Sequence, residues 1–299
     1  MFSVNRRNLL AQALTVAIAQ PLSIAIAQPS QNTDKTMSFL NRKLTVNGLE
    51  FNVRDIGVKE PALVFIHYMG GAGRTWDLVA ERLSERHRCV APDLRGWGGS
   101  DKSATNYDLN TQADDIAAII RSLEISQYIL VGQSMGGKIA QILGARRPSG
   151  LKGLVLVAPA PPTPMEVPQE QKDAYLKSYL SAEGLETALT VLAHRQLSPE
   201  LRQQVVDDTL GGAVAAKRAW FDQGMSLDIR DLVANINVPT TVIVGDADKV
   251  ENEPGLRREL GSRIKGAEFI ILPGVGHLSP LEAPDELTAA ITAAITKIQ

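Results

Sequence analysis

Short apolar runs, separated by stretches of helical periodicity, decide what this 299-residue chain can fold into. They fall at Ala62 to His67, Arg88 to Pro92, Tyr128 to Gly132, Leu151 to Ala158, Thr240 to Gly245 and Glu268 to Leu272. A near-continuous apolar run of this length suits a strand covered on both faces. Between them, Thr75 to Arg86 carries Trp76, Leu78, Val79 and Leu83 at helical spacing, and Thr111 to Leu123 places Ile116, Ile119 and Ile120 on one face. Upstream, Phe39 to Val46, an Asn47-Gly48 turn and Leu49 to Ile56 read as a β-hairpin. The alternation therefore predicts an α/β fold, a doubly wound and mostly parallel sheet of eight strands with helices on both faces.

Residues 160–233 interrupt the alternation. Pro159, Pro161, Pro162, Pro164 and Pro168 open the segment, and helix-like stretches follow at Gln169–Leu180, Leu185–Ala193, Pro199–Leu210 and Ala213–Met225. The expectation is a helical cap inserted into a core made of residues 38–159 and 234–299. The segment is too small, and too dependent on an apolar surface beneath it, to stand alone.

The first 27 residues read as a targeting signal. Arg6-Arg7 makes a positive start, Leu9 to Ala27 carries no charge, and Ala25-Ile26-Ala27 fits an A-x-A cleavage site. The order Asn5-Arg6-Arg7-Asn8-Leu9-Leu10 resembles a twin-arginine export signal, although Asn5 stands where Ser or Thr is usual. The alternatives are a Sec signal, an uncleaved anchor or an organellar transit peptide. The expectation is cleavage, a polar linker over residues 28–37, handling by the twin-arginine machinery and a periplasmic or otherwise extracytoplasmic protein with no stable membrane insertion. Composition adds exclusions: 44% hydrophobic residues suffice for a large core, and a net charge of −2 argues against a nucleic-acid surface. The single cysteine, Cys89, allows neither an internal disulfide nor a thiolate zinc site.

Chemistry concentrates at Gly132-Gln133-Ser134-Met135-Gly136, a G-x-S-x-G between a strand and a helix. In that setting the serine sits on a strained turn with its hydroxyl projecting above the sheet edge, and the glycines let the backbone cross itself closely. The N–H of Met135 then points where an oxyanion would form. A serine hydroxyl needs a base, and histidine titrates near neutrality. Of four histidines, His277 in Gly274-Val275-Gly276-His277-Leu278 follows the last strand and lies at the same sheet edge as Ser134, where open α/β sheets bind ligands. His67 ends a strand, His87 lies in a charged run that predicts solvation, and His194 falls in the cap. An acid must orient the base. The loop after Val157 holds no carboxylate, whereas the loop after Val244 holds Asp246 and Asp248, with Glu251 and Glu253 as looser candidates.

Together these motifs resemble the α/β-hydrolase superfamily, from about Phe39 to Lys297. The similarity includes Asp93-Leu94-Arg95-Gly96-Trp97-Gly98-Gly99-Ser100, like the family's D-x-R-G-x-G-x-S loop, and Gly276-His277 followed by Glu282-Ala283-Pro284. The resemblance implies the chain order serine, acid, histidine, and its G-x-x-D pattern selects Asp248 as the acid. It places a second oxyanion donor at the N–H of Met69, with Tyr68 where the family commonly has glycine. It also implies a roofed pocket, for which Tyr175, Tyr179, Trp220, Phe221 and Met225 are candidate lining residues above Tyr68 and Met69.

The function expected is a serine hydrolase acting on a small carboxylic ester or lactone, without cofactor or metal. Alternatives are a cofactor-free haloperoxidase or perhydrolase, a carbon–carbon bond hydrolase, and a ligand receptor that retains the triad. Epoxide hydrolase and dehalogenase chemistry is disfavoured, because it resembles chains with Asp at position 134. Oligomeric state is not legible.

Overall fold

A computed structural model describes residues 38–298, so the leader and linker expected over residues 1–37 lie outside the described residues. The chain runs β1 (Leu40–Val46), β2 (Leu49–Ile56), β3 (Ala62–Ile66), α1 (Asp77–Leu83), β4 (Cys89–Pro92), α2 (Leu109–Ser122), β5 (Tyr128–Gln133), α3 (Met135–Ala145) and β6 (Leu151–Val157). After β6 come α4 (Gln169–Ser178), α5 (Ala182–Leu192), α6 (Pro199–Gly211), α7 (Val214–Ala219) and α8 (Arg230–Val233). The fold closes with β7 (Thr240–Gly245), α9 (Glu253–Leu256), β8 (Glu268–Leu272), α10 (Ser279–Glu282) and α11 (Pro284–Ile298).

The eight strands form one sheet in the order β1-β2-β4-β3-β5-β6-β7-β8. The β1–β2 and β2–β4 pairs are antiparallel, and every pair from β4–β3 to β7–β8 is parallel. Asn47 and Gly48 turn the β1–β2 hairpin, both at positive φ (51° and 78°), which Asn tolerates and Gly adopts freely. From β3 the chain first adds β4 on one side and then β5 on the other. The order reverses between β3 and β5, which pair in register Ile66 to Gly132. A crevice outside the carboxyl ends of strands forms at such a reversal.

Both sheet faces are buried, and alternate residues of each strand supply them. Val64, Ile66, Leu130, Leu154, Leu156 and Val242 face a layer containing Ile116, Ile119 and Ile120 of α2 and Ile139, Ile142 and Leu143 of α3. Leu63, Phe65, Ile129, Val131, Val155 and Ile243 face Trp76, Val79 and Leu83 on one side of the chain, and Leu287, Ile291 and Ile295 of α11. Two-sided burial explains why these strands read as continuous apolar runs.

Element boundaries moved where local chemistry overrides periodicity. The expected helix from Thr75 to Arg86 is a 3₁₀ turn over Gly73–Trp76 followed by the shorter α1. Helix α2 starts at Leu109 because the Asp108 side chain accepts the Thr111 N–H and caps it. The expected Ala213–Met225 helix forms as α7 continued by a wider π-helical stretch over Trp220–Gly224, and Met225 N–H donates to the Trp220 carbonyl at 2.9 Å. His87, expected to be solvated, is buried, and its Nδ1 lies 2.9 Å from the Pro61 carbonyl. Glu85 and Arg86 turn outward while the backbone here packs under Gly57, where an added Cβ would come 2.3 Å from the His87 oxygen. Cys89 is buried in β4, and that burial raises the affinity of its thiol for the proton.

Candidate active site

Ser134 is the first residue after β5 and immediately precedes α3. Its backbone sits at φ 51° and ψ −118°, a conformation that L-residues avoid. The flanking glycines explain how the turn closes. A Cβ at Gly132 would lie 2.4 Å from the Gly136 carbonyl oxygen, and one at Gly136 would lie 2.3 Å from that of Ile66. Neither glycine has positive φ, so close backbone approach is what selects them. The hydroxyl-bearing residue is thereby fixed by backbone on both sides, and Ser134 N–H donates to the Val157 carbonyl at 3.1 Å.

His277 sits in the turn between β8 and α10. Its Nδ1 lies 2.9 Å from Oδ2 of Asp248, with both side chains almost wholly buried. Beside a carboxylate, Nδ1 carries the proton and Nε2 is left to accept one. Asp248 is held in turn: its Oδ1 accepts the N–H groups of Val250 (2.8 Å) and Glu251 (3.0 Å). The two aspartates of this loop take different positions. Asp246 Oδ1 instead accepts the Gly274 N–H at 2.6 Å and braces the β8–α10 loop. Glu253 opens α9 and pairs with Arg257, away from the histidine.

The other histidines have different roles. His67 is fully buried, donating from Nδ1 to the Tyr68 carbonyl (2.7 Å) and accepting the Leu94 N–H at Nε2 (3.0 Å). Both ring nitrogens are consumed in joining the loops after β3 and β4. His194 contributes its backbone N–H to Glu282 Oε2 at 3.0 Å.

Ser134, His277, Tyr68 and Met69 open onto one cavity of about 400 Å³, a volume suited to a small organic molecule. Its roof comes from the helical segment. Tyr175, Tyr179, Trp220, Phe221 and Met225 all line it, as the sequence suggested. Phe221 packs against both tyrosines, with ring centroids 6.0 Å from Tyr175 and 5.5 Å from Tyr179. The phenols of Tyr68 and Tyr179 are shielded from water, which holds them in the protonated form; that of Tyr179 is pushed up to about 12. Among the described residues, the Met69 and Met135 N–H groups donate to no protein acceptor, as an oxyanion site requires. Met135 is buried beside Ser134 at the start of α3, where unpaired N–H groups converge.

Several positioning contacts escaped the sequence reading. Gln133, the variable residue of the serine motif, donates from Nε2 to the His277 carbonyl at 2.8 Å, tying elbow to base. Glu282 Oε2 accepts the N–H groups of His194 and Arg195 (3.0 and 2.8 Å), while His277 N–H donates to the Leu192 carbonyl at 2.8 Å. The end of α5 is thus clamped onto the histidine turn. The acidic residue of the Gly276–Pro284 motif was the available signal; its partners were not. Likewise Asp93 accepts Gly73 and Gly99 N–H groups (2.6 and 2.7 Å), and Arg95 forms a buried pair with Asp115 at 2.5 Å. That motif is a brace for the loops under the cavity. Met165, Val167, Leu192, Lys249, Val250 and Glu251 also line the cavity and were not foreseen as pocket residues.

Comparison with known proteins follows the same line. The model of the alpha/beta hydrolase family matches residues 63–290. A 2-(acetamidomethylene)succinate hydrolase of Mesorhizobium japonicum is 27% identical over 270 residues, covering 85% of this chain and 94% of its own. A non-heme chloroperoxidase of Kitasatospora aureofaciens is 27% identical over 253 residues, covering 78% and 90% respectively. The solved esterase of Exiguobacterium antarcticum superposes with a TM-score of 0.77 at 23% identity, covering 87% of this chain and 99% of that one. At that identity the likeness speaks for the fold.

Proposed function

The chain belongs to the alpha/beta hydrolase family, and we propose that within it the protein is a serine hydrolase that cleaves a small carboxylic ester or lactone through an acyl-enzyme. One observation carries the reading: Ser134 and His277 open onto the same cavity while His277 Nδ1 is held 2.9 Å from Asp248. His277 Nε2 takes the Ser134 proton, and Oγ attacks the carbonyl carbon. Asp248 stabilises the imidazolium and fixes its tautomer. The N–H groups of Met69 and Met135 receive the negative charge that develops on the carbonyl oxygen, each contributing about 3 kcal/mol to transition-state stabilisation. His277 then protonates the leaving alcohol, and a water activated by the same imidazole releases the acid.

The test is hydrolysis of p-nitrophenyl acetate and butyrate by the mature protein, together with labelling by a fluorophosphonate. Both should depend on Ser134. Unchanged turnover in Ser134→Ala would sink the serine mechanism.

A second reading is cofactor-free halogenation or perhydrolysis, in which peroxide replaces water at the acyl-enzyme. Similarity to a protein named non-heme chloroperoxidase favours it. The loop Met69-Gly70-Gly71 lacks the proline common in such enzymes, which ranks this reading second. Bromination of monochlorodimedone with peroxide separates the two. Carbon–carbon bond hydrolysis, also compatible with the Ser134-Met135-Gly136-Gly137 elbow, ranks behind both.

The setting proposed is extracytoplasmic. Arg6-Arg7, the uncharged stretch Leu9 to Ala27 and the Ala25-Ile26-Ala27 site support export by the twin-arginine route. Processing that persists in Arg6→Lys/Arg7→Lys would instead indicate the Sec route.

A further inference from the structure

Most of the cavity wall is apolar or aromatic, with Met165, Val167, Leu192, Trp220 and Phe221 among its lining, yet Glu251 lines it too. Glu251 is only 7% exposed, and among the described residues its carboxyl makes no hydrogen bond and no ion pair within 4 Å. Its backbone already serves the site by donating to Asp248 at 3.0 Å, so the side chain is the uncommitted part. Behind it stands a second uncommitted group. Lys138 of α3 is fully buried, and among the described residues its Nζ has no hydrogen-bond partner. The two are near enough that the charge of each affects the other's titration.

A carboxyl largely shielded from water and without a protein partner is stabilised when a ligand supplies one. Burial, and then the negative charge of Asp248, raise the affinity of the Glu251 carboxyl for a proton, against the opposing pull of Lys138. In either form a carboxyl accepts a hydrogen bond. Its complement in an apolar wall is a group that supplies a donor without adding charge, which describes an alcohol hydroxyl. A plain alkyl arm would leave the carboxyl unsatisfied.

We propose that Glu251, backed by Lys138, is a specificity-determining residue that hydrogen-bonds a hydroxyl on the substrate, so that the site selects hydroxylated acyl esters over their alkyl counterparts. The inference rests on the serine-hydrolase reading and names the substrate class for it.

The test compares near-isosteric esters that differ by OH against CH₃: ethyl 3-hydroxybutanoate with ethyl 3-methylbutanoate, and ethyl lactate with ethyl 2-methylpropanoate. The wild-type kcat/KM ratio within at least one pair should favour the hydroxylated ester roughly tenfold or more, as expected when a site's buried polar group is left unpaired by the analogue. Glu251→Leu should bring that ratio to one or below, and Glu251→Gln, which still donates and accepts, should retain most of it. If Glu251→Leu does not fold, Glu251→Met takes its place. A wild-type ratio near one in both pairs overturns the inference, as does a preference that survives Glu251→Leu. The serine reading fails separately: it is lost if Ser134→Ala still turns over these esters, whatever the ratio. Turnover of neither pair by a protein whose Ser134 is labelled by fluorophosphonate overturns the substrate class alone.

Discussion

The Thr209 hydroxyl on α6 donates to the Gly70 carbonyl at 2.9 Å, joining the helical roof to the loop that offers the Met69 N–H. Gly70 has φ 102°, a glycine region, and a Cβ there would strike Thr209 Oγ1 at 2.9 Å. One residue further back, the half-exposed Arg74 pairs with the buried Asp208 at 2.8 Å, across the same seam. The oxyanion loop therefore takes its shape partly from the roof. Removing the hydroxyl in Thr209→Val should lower kcat by roughly five- to tenfold, in line with one lost hydrogen bond of about 1 kcal/mol. KM should shift less, because the substrate-lining aromatics stay in place. Thr209→Ser should restore the rate; equal losses in both variants would assign Thr209 a packing role instead.

Asp248→Asn should preserve the fold and lower kcat by about 10⁴, the cost of presenting the wrong histidine tautomer in the comparable serine-protease triad. Stopped-assay rates alongside an unchanged melting temperature check it. Asp246→Asn, by contrast, removes a loop brace rather than an orienting acid, and its kcat should stay within a few-fold of wild type.

Gly132→Ala and Gly136→Ala should each destabilise the protein by about 3 kcal/mol or more, or prevent folding, because the new methyl meets backbone oxygen at 2.4 and 2.3 Å. Thermal unfolding reads the effect. Gly211→Ala, where nothing lies within 4 Å of the added carbon, is the control and should change little.

Lys138 gives a pH signature. Burial lowers its ammonium to about 8, with Glu251 and Asp228 pulling the other way. Its folded value lies below the unfolded one, so the unfolded chain binds more protons between about pH 8 and pH 10.5, and stability contributed at this site rises across that window. Below pH 8 the penalty for the buried charge is present in full. Lys138→Met should therefore raise the melting temperature most at pH 7, and the gain should shrink as pH approaches 10. A gain that is flat from pH 7 to pH 10 would contradict it.

The sheet and its order of chemistry were legible because parallel strands buried on both faces leave unbroken apolar runs, and because turns such as Asn47-Gly48 and Gly132–Gly136 admit few residue types. Ser134, Asp248 and His277 sat beside those strands and could be placed with them. Glu251 and Gln133 could not. Their importance arises from which loops meet across the sheet edge, a property of tertiary packing that leaves no periodic trace. His87 misled for a related reason: Glu85 and Arg86 before it are exposed, and only the fold shows that its own ring turns inward to Pro61. The Ala213–Met225 helix formed but widens over Trp220–Gly224, a change in hydrogen-bond pattern that residue spacing does not reveal.

Residues 160–233 leave the sheet after β6 and return to it at β7, and those two strands are immediate neighbours, paired from Leu154 to Thr240. A departure and a return on adjacent strands make the roof a cassette. Its length and sequence can change without altering the register of any strand pair, so long as the contacts to Gly70 and Glu282 are kept. In such an arrangement the machinery that breaks the bond and the roof over it are inherited separately, and selectivity can diversify through one exchangeable stretch of chain while the reacting groups and Glu251 stay where they are.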